Sequence, residues 1–247
     1  MNSFLFAIAY WFLSIAYAAM ALVLTLLPGR EPVKWIIGRY TRRMVWAMRV
    51  FAGIRLEVRG RDNVPDVPVI YACKHHSWGD GFCIYSTLPD LAFVTGDHLE
   101  KYPLMSTLLA KLGAIVVDSC GGVEARRSLA HRAAEAAKEG RSILIYPEGH
   151  LNAPGTYRRY RSGVWHMMNR FDMPVVPVAT NLGLFWQEEQ YRKTPGTAVL
   201  QFLEPIMPGM DKDRFLDLLR CRIEATSQDL IAEATGQPVT PSVPALE

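Results

Sequence analysis

Residues 4–27 include no charged side chain, and nowhere in the 247-residue chain do two cysteines stand in C-x-x-C spacing. The four cysteines, Cys73, Cys83, Cys120 and Cys221, are too scattered for a disulfide framework or a zinc cluster. They read as reduced, structural thiols of a cytosol-facing domain. An excess of one charge sign is also missing: 27 Lys and Arg against 24 Asp and Glu leave a net +3. Overall charge therefore gives no reason to expect nucleic acid as a partner. No internal repeat occurs, so solenoids and propellers are set aside.

The uncharged run is 24 residues of mainly Leu, Ile, Ala, Phe and Tyr, long enough for a hydrocarbon core of about 30 Å. It is too long for a signal-peptide core and has no Lys or Arg before it. Arg30, Lys34, Arg39, Arg42, Arg43 and Arg49 follow it, against Glu31 alone. That asymmetry places the rest of the chain on the cytoplasmic face of a membrane. The cations are interleaved with Trp35, Ile36, Tyr40, Trp46 and Phe51, a pattern suited to the headgroup layer. Residues 1–52 thus read as a membrane anchor, made of a hydrophobic helix (4–27) and a basic amphipathic segment (33–52). Either the first segment spans the bilayer or the two form a monotopic hairpin.

From residue 54 the chain alternates short apolar strands with helical stretches, the α/β pattern. Strands are expected at 54–59, 69–72, 92–95, 114–118, 142–146, 175–179 and 198–203. Helices are expected after Asp80 and at 104–112, 123–138, 162–171 and 212–234, the last capped by Asp211 and stopped by Gly236. Residues 53–236 form the main domain, and the proline-containing 237–247 reads as a disordered tail.

Two motifs carry chemistry. Lys74-His75-His76-Ser77-Trp78-Gly79-Asp80 follows an apolar strand. An imidazole with a carboxylate on its far nitrogen can take a proton from a hydroxyl at neutral pH. On a regular helix, positions i and i+5 lie about 140° apart and cannot touch. The pair therefore works only at a strand-to-helix turn, with Ser77 as a turn or cap residue and Gly79 and Gly81 keeping the backbone compact. The second motif, Pro147-Glu148-Gly149-His150, ends the strand at 142–146, where α/β sheets place ligand-binding loops. Cys73, His75, His76 and Asp80 are residue types that ligate metals, but adjacent histidines rarely point the same way and no second Cys/His cluster follows. No metal is expected.

Taken together the motifs resemble the glycerolipid acyltransferase family, whose bacterial members acylate 1-acyl-glycerol-3-phosphate. The family block N-H-x-S-x-x-D is similar to Lys74 through Asp80. Its glycine-led block running into Asp-Arg is similar to Gly113-Ala114-Ile115-Val116-Val117-Asp118-Ser119. F-P-E-G-T-R is similar to Tyr146-Pro147-Glu148-Gly149-His150-Leu151, and V-P-V-A to Val176-Pro177-Val178-Ala179. Tyr160-Arg161-Ser162-Gly163 resembles a basic-Gly step between the last two, and order and spacing agree over residues 56–203.

The resemblance implies a mixed sheet flanked by helices, with the hydrophobic helix and a membrane-surface segment ahead of it. It implies a membrane-associated acyltransferase moving an acyl chain from acyl-CoA or acyl carrier protein to a lysophospholipid hydroxyl, with no cofactor. His75 would be the base and Asp80 its orienting partner, with no covalent acyl-enzyme. Lys74, Ser77, Glu148, Gly149, His150 and Arg161 would form the substrate site.

The chain departs from the family in its cations. Ser119 and Leu151 stand where arginines are common, Gly96-Asp97 where lysine is, and Lys74 where asparagine is. Either Lys74, Arg126, Arg127, Arg158, Arg159 or Arg161 supplies the phosphate charge, or the acceptor is another lysolipid such as a lyso-ornithine lipid. A non-catalytic lipid-binding protein is the rival of a different class. Arg126, Arg127 and Arg132 read as a solvated or membrane-facing stripe. His98 and His131 read as surface residues, and His166 as packed. Trp165, Met167 and Met168 suit a core or the wall of an acyl tunnel.

Overall fold

A computed structural model describes residues 2–88, 90–97, 103–117, 123–187 and 190–237, without the side chains of 103–104 and 123–130. The expected strands appear as β1 (Ile54–Arg59), β2 (Ile70–Cys73), β3 (Ala92–Gly96), β4 (Ile115–Val117), β5 (Ile143–Ile145), β6 (Val175–Thr180) and β7 (Gly196–Phe202). They form one sheet in the order β1-β7-β6-β2-β5-β3-β4, parallel except for the antiparallel β6–β7 pair. The mixed α/β expectation is met.

Strand alternation divides the core. Ile70, Ala72, Ile143 and Ile145 point to a layer made by α5 (Val123–Lys138), α6 (Gly163–Phe171) and α7 (Lys212–Thr235). Val69, Tyr71, Cys73 and Leu144 point the other way, onto α3 (Asp80–Thr87). Asp211 caps α7 by accepting from the N–H groups of Asp213 and Arg214, and Gly236 ends it in the left-handed conformation. α4 (Pro103–Leu112) packs beside the N-terminal helices.

α1 (Ser3–Leu24) is long and apolar enough to cross a membrane, with only 6% of its apolar window buried. Its outer side chains stay exposed, Phe12 at 70% and Ile15 at 67%. Asn2 caps it, and the chain turns through Pro28 and Gly29 into α2 (Glu31–Ala47). α2 carries Pro32 in its first turn and continues into a π-helical turn, Met48–Ala52, closed by left-handed Gly53. Phe6, Met44 and Met48 join Cys83, Leu182, Phe185 and Trp186 in one cluster. The N-terminal helices are therefore seated directly on the end of the sheet that carries α3. The expected tail at 237–247 lies outside the described residues, apart from Gln237.

Candidate active site

β2 ends at Cys73, and residues 74–79 turn the chain sharply into α3. The turn is organised around one carboxylate oxygen. Asp80 Oδ2 accepts from the backbone N–H groups of His76 and Ser77, both at 2.8 Å, and lies 3.0 Å from His75 Nδ1. The i+5 pair meets because these residues are a turn rather than a helix. Ser77 Oγ accepts from the Gly79 N–H at 3.0 Å and is fully buried. Ser77 is thus a turn residue: α3 starts from Gly79 with no side-chain cap. That burial corrects its expected place among the residues touching substrate. A Cβ on Gly79 would lie 2.8 Å from Trp186 and 2.9 Å from Leu182, so the close packing of this turn requires glycine.

The Asp80 side chain is 4% exposed and that of His75 21%. The imidazole therefore reaches solvent while its carboxylate partner does not. Tyr146 stacks on the His75 ring, centroids 4.0 Å apart and planes 18° from parallel. Its buried hydroxyl has no hydrogen-bond partner among the described residues. Burial, followed by the nearby Asp80, Cys73 and Cys83, pushes the phenol well above its usual range. The stack is worth about 0.5–1.5 kcal/mol, while an unpartnered buried hydroxyl costs about 1–3 kcal/mol. Tyr146→Phe should therefore raise the melting temperature and preserve turnover. Tyr146→Leu should lower kcat about three- to tenfold. Equal losses in both variants would show that the hydroxyl, not the ring face, is what matters.

His76 is sealed away from this site. Burial, followed by the charges of Lys74 and His75, holds its imidazole well below the usual 6.5, so it is neutral. Among the described residues no group of three or more His, Cys, Asp or Glu side chains could hold a metal ion.

The second motif follows β5. Gly149 adopts φ +71°, where a Cβ would be 2.9 Å from the Arg161 guanidinium carbon. Two backbone bonds tie this segment together and to the first motif: Asn152 N–H to His75 O at 3.0 Å, and Arg161 N–H to Pro147 O at 2.8 Å. Glu148 Oε2 accepts from Asn152 Nδ2 at 2.6 Å and the Arg158 N–H at 2.9 Å, and Oε1 is 3.0 Å from Lys74 Nζ. Burial raises the Glu148 carboxyl above its ordinary range, against the pull of Lys74.

Lys74 corrects the sequence reading. It is completely buried, its ammonium 2.7 Å from Glu224 Oε1 on α7 and bonded to Thr156 O at 2.9 Å. Tyr160 donates to the same Glu224 oxygen at 2.8 Å. With two carboxylates and a carbonyl around its three protons, Lys74 holds the Glu148 turn from behind and is not presented to a substrate phosphate. Glu148 is likewise 1% exposed and shapes the turn from inside.

His150 and Arg161 are exposed, His150 Nε2 being 3.3 Å from Arg161 Nη2. Burial, followed by Arg158 and Arg161, lowers the His150 imidazole from its usual value. His166 is exposed rather than packed, because α6 turns Val164, Met167 and Met168 into the core. His131 is a surface residue with 77% side-chain exposure. His98 and Ser119, and the side chains of Arg126 and Arg127, lie outside the described residues. The reading of the sequence did not identify Tyr146, Asn152 or Glu224 as parts of this site.

Comparison with known proteins gives the chain a family and a fold. The Acyltransferase family model matches residues 55–181, which hold both motifs. The 1-acyl-sn-glycerol-3-phosphate acyltransferase of Pseudomonas aeruginosa is 30% identical over 208 residues, 84% of this chain and 81% of that protein. The lyso-ornithine lipid O-acyltransferase of the same organism is 27% identical over 169 residues, 68% of this chain and 62% of that protein. The crystal structure of the 1-acyl-sn-glycerophosphate acyltransferase from Thermotoga maritima superposes with a TM-score of 0.76 at 20% identity. That match covers 93% of this chain and 96% of the other and establishes the fold. By the family match and by sequence identity across most of both chains, this protein belongs to the glycerolipid acyltransferase family.

Proposed function

We propose that this acyltransferase esterifies the free hydroxyl of 1-acyl-sn-glycerol-3-phosphate at the cytoplasmic face of a membrane, using acyl-CoA or acyl carrier protein as donor. The observation that carries the reading is the His75–Asp80 contact at 3.0 Å on a solvent-reaching imidazole. With Nδ1 held by the carboxylate, Nε2 takes the proton of the acceptor hydroxyl as its oxygen attacks the thioester carbonyl. The buried carboxylate fixes the tautomer and stabilises the imidazolium that forms. Collapse of the tetrahedral adduct expels the thiolate, which recovers the proton from His75. No covalent acyl-enzyme, metal or resident cofactor enters. The exposed apolar surface of α1 and the cations of α2 support docking on the bilayer that holds both lysolipid and product.

The phosphate acceptor is supported by the Pseudomonas aeruginosa 1-acyl-sn-glycerol-3-phosphate acyltransferase, 30% identical over 84% of this chain. The missing arginines at Ser119 and Leu151, together with the lyso-ornithine relative, favour the second reading. Purified protein should be offered lysophosphatidic acid and lyso-ornithine lipid in parallel with one acyl donor, and the products read by mass spectrometry. Phosphatidic acid as the main product is expected. Turnover of only the ornithine lipid would overturn the acceptor assignment and leave the acyl-transfer chemistry standing.

A further inference from the structure

A cavity of about 630 Å³ opens beside the Glu148 turn, lined among others by His150, Arg158, Arg159, Arg161 and Lys212. Four cations around one hollow need an explanation. Lys212 approaches Asp213 at 3.7 Å, but among the described residues Arg158, Arg159 and Arg161 make no ion pair. Arg158 Nε is buried with no hydrogen-bond partner among the described residues. Glu148, the other lining carboxylate, is already occupied by Lys74, Asn152 and the Arg158 N–H. Neutral His150 offers its ring nitrogen to Arg161 at 3.3 Å, which restrains that guanidinium without neutralising it. Ser162, at the uncapped start of the nine-residue α6, also lines the cavity and adds the positive end of a helix.

We propose that this cavity is a phosphomonoester subsite built from Arg158, Arg161 and Lys212, standing in for the cations absent at Ser119 and Leu151. The inference rests on the acyl-transfer reading for its substrates. Its wall is the Glu148 turn, and the same segment is tied to the backbone of His75 through the Asn152 N–H. Lys212 lies outside the span matched by the family model, so the C-terminal helix contributes to recognition. Two substrates carry a phosphomonoester: the glycerol phosphate of the acceptor and the 3′-phosphate of a CoA donor.

Steady-state kinetics of Arg158→Gln, Arg161→Gln and Lys212→Gln separate them. Each charge-assisted bond contributes about 1.5–3 kcal/mol, so each arginine variant should raise KM for lysophosphatidic acid at least about tenfold, with Arg161→Lys recovering part of it. A rise in KM for acyl-CoA alone, abolished with acyl-dephospho-CoA, would assign the subsite to the donor. Calorimetry with glycerol 3-phosphate gives a readout independent of turnover: wild type should bind it and Arg158→Gln/Arg161→Gln should not. Unchanged KM values together with unchanged binding in folded variants would overturn the subsite. A wild type that binds glycerol 3-phosphate but acylates no lysolipid would overturn the catalytic reading instead.

Discussion

Replacing Lys74 with alanine should destabilise the protein by about 3–5 kcal/mol, the range found when one partner of a buried ion pair is removed. At about 2–4 °C per kcal/mol for a chain of this size, the melting temperature should fall by roughly 10 °C. The reason is electrostatic. Lys74 and Glu148 are fully buried and Glu224 nearly so, and the ammonium lies within 3.0 Å of both carboxylates. Without it two acidic groups face each other away from water. Lys74→Asn, which restores the residue usual in the family, should fare little better, because an amide cannot neutralise Glu224. The double variant Lys74→Asn/Glu224→Gln should recover at least half of the loss, since it removes one of the two stranded charges and leaves the other, Glu148, with its Asn152 and Arg158 N–H donors. Thermal unfolding of the four proteins checks this. A single variant costing under about 1 kcal/mol would mean that water or a proton already does the work assigned to Lys74.

This pair also marks how far the sequence could be read. The strands, the helices and the two motifs were legible because each rests on local rules: apolar runs of strand length, a cap at Asp211, a glycine stop at Gly236. The His75–Asp80 contact was legible as a condition: residues five apart meet only at a strand-to-helix turn, which the strand before them and the glycines beside them permit. Lys74 was misread because its fate depends on Glu224, 150 positions away on α7. Nothing in the spacing of residues 74–80 distinguishes a cation facing substrate from one facing a distant carboxylate.

Tyr146 was missed for a different reason, since a signal was present. β2 and β5 are parallel neighbours with Tyr71 opposite Leu144. Counting in twos places Cys73 and His75 on the face of Tyr71, and Tyr146 on the face of Leu144. That parity becomes usable only once the β2–β5 pairing is known, and His75 stands past the end of β2, so the stack depends on the turn as well. The N-terminal segment was legible in composition but not in placement. Its exposed apolar side is visible only once α1 is seen packed on α2 and the Trp186 cluster.

The largest effect on activity should come from His75. General-base catalysis contributes about 10²–10⁴-fold, and His75→Ala should lose about 10³-fold in kcat with lysolipid binding retained. Asp80→Asn keeps an oxygen able to accept from the His76 and Ser77 N–H groups but removes the charge that fixes the imidazole, so it too should lose at least about 10². Binding retained alongside lost turnover separates a catalyst from a lipid carrier. The decisive measurement is acyl transfer to lysophosphatidic acid by wild type, His75→Ala and Asp80→Asn, each shown by circular dichroism to be folded. The His75–Asp80 mechanism requires measurable phosphatidic acid from wild type and a loss of two or more orders of magnitude in both variants. Turnover by His75→Ala within about tenfold of wild type would contradict it.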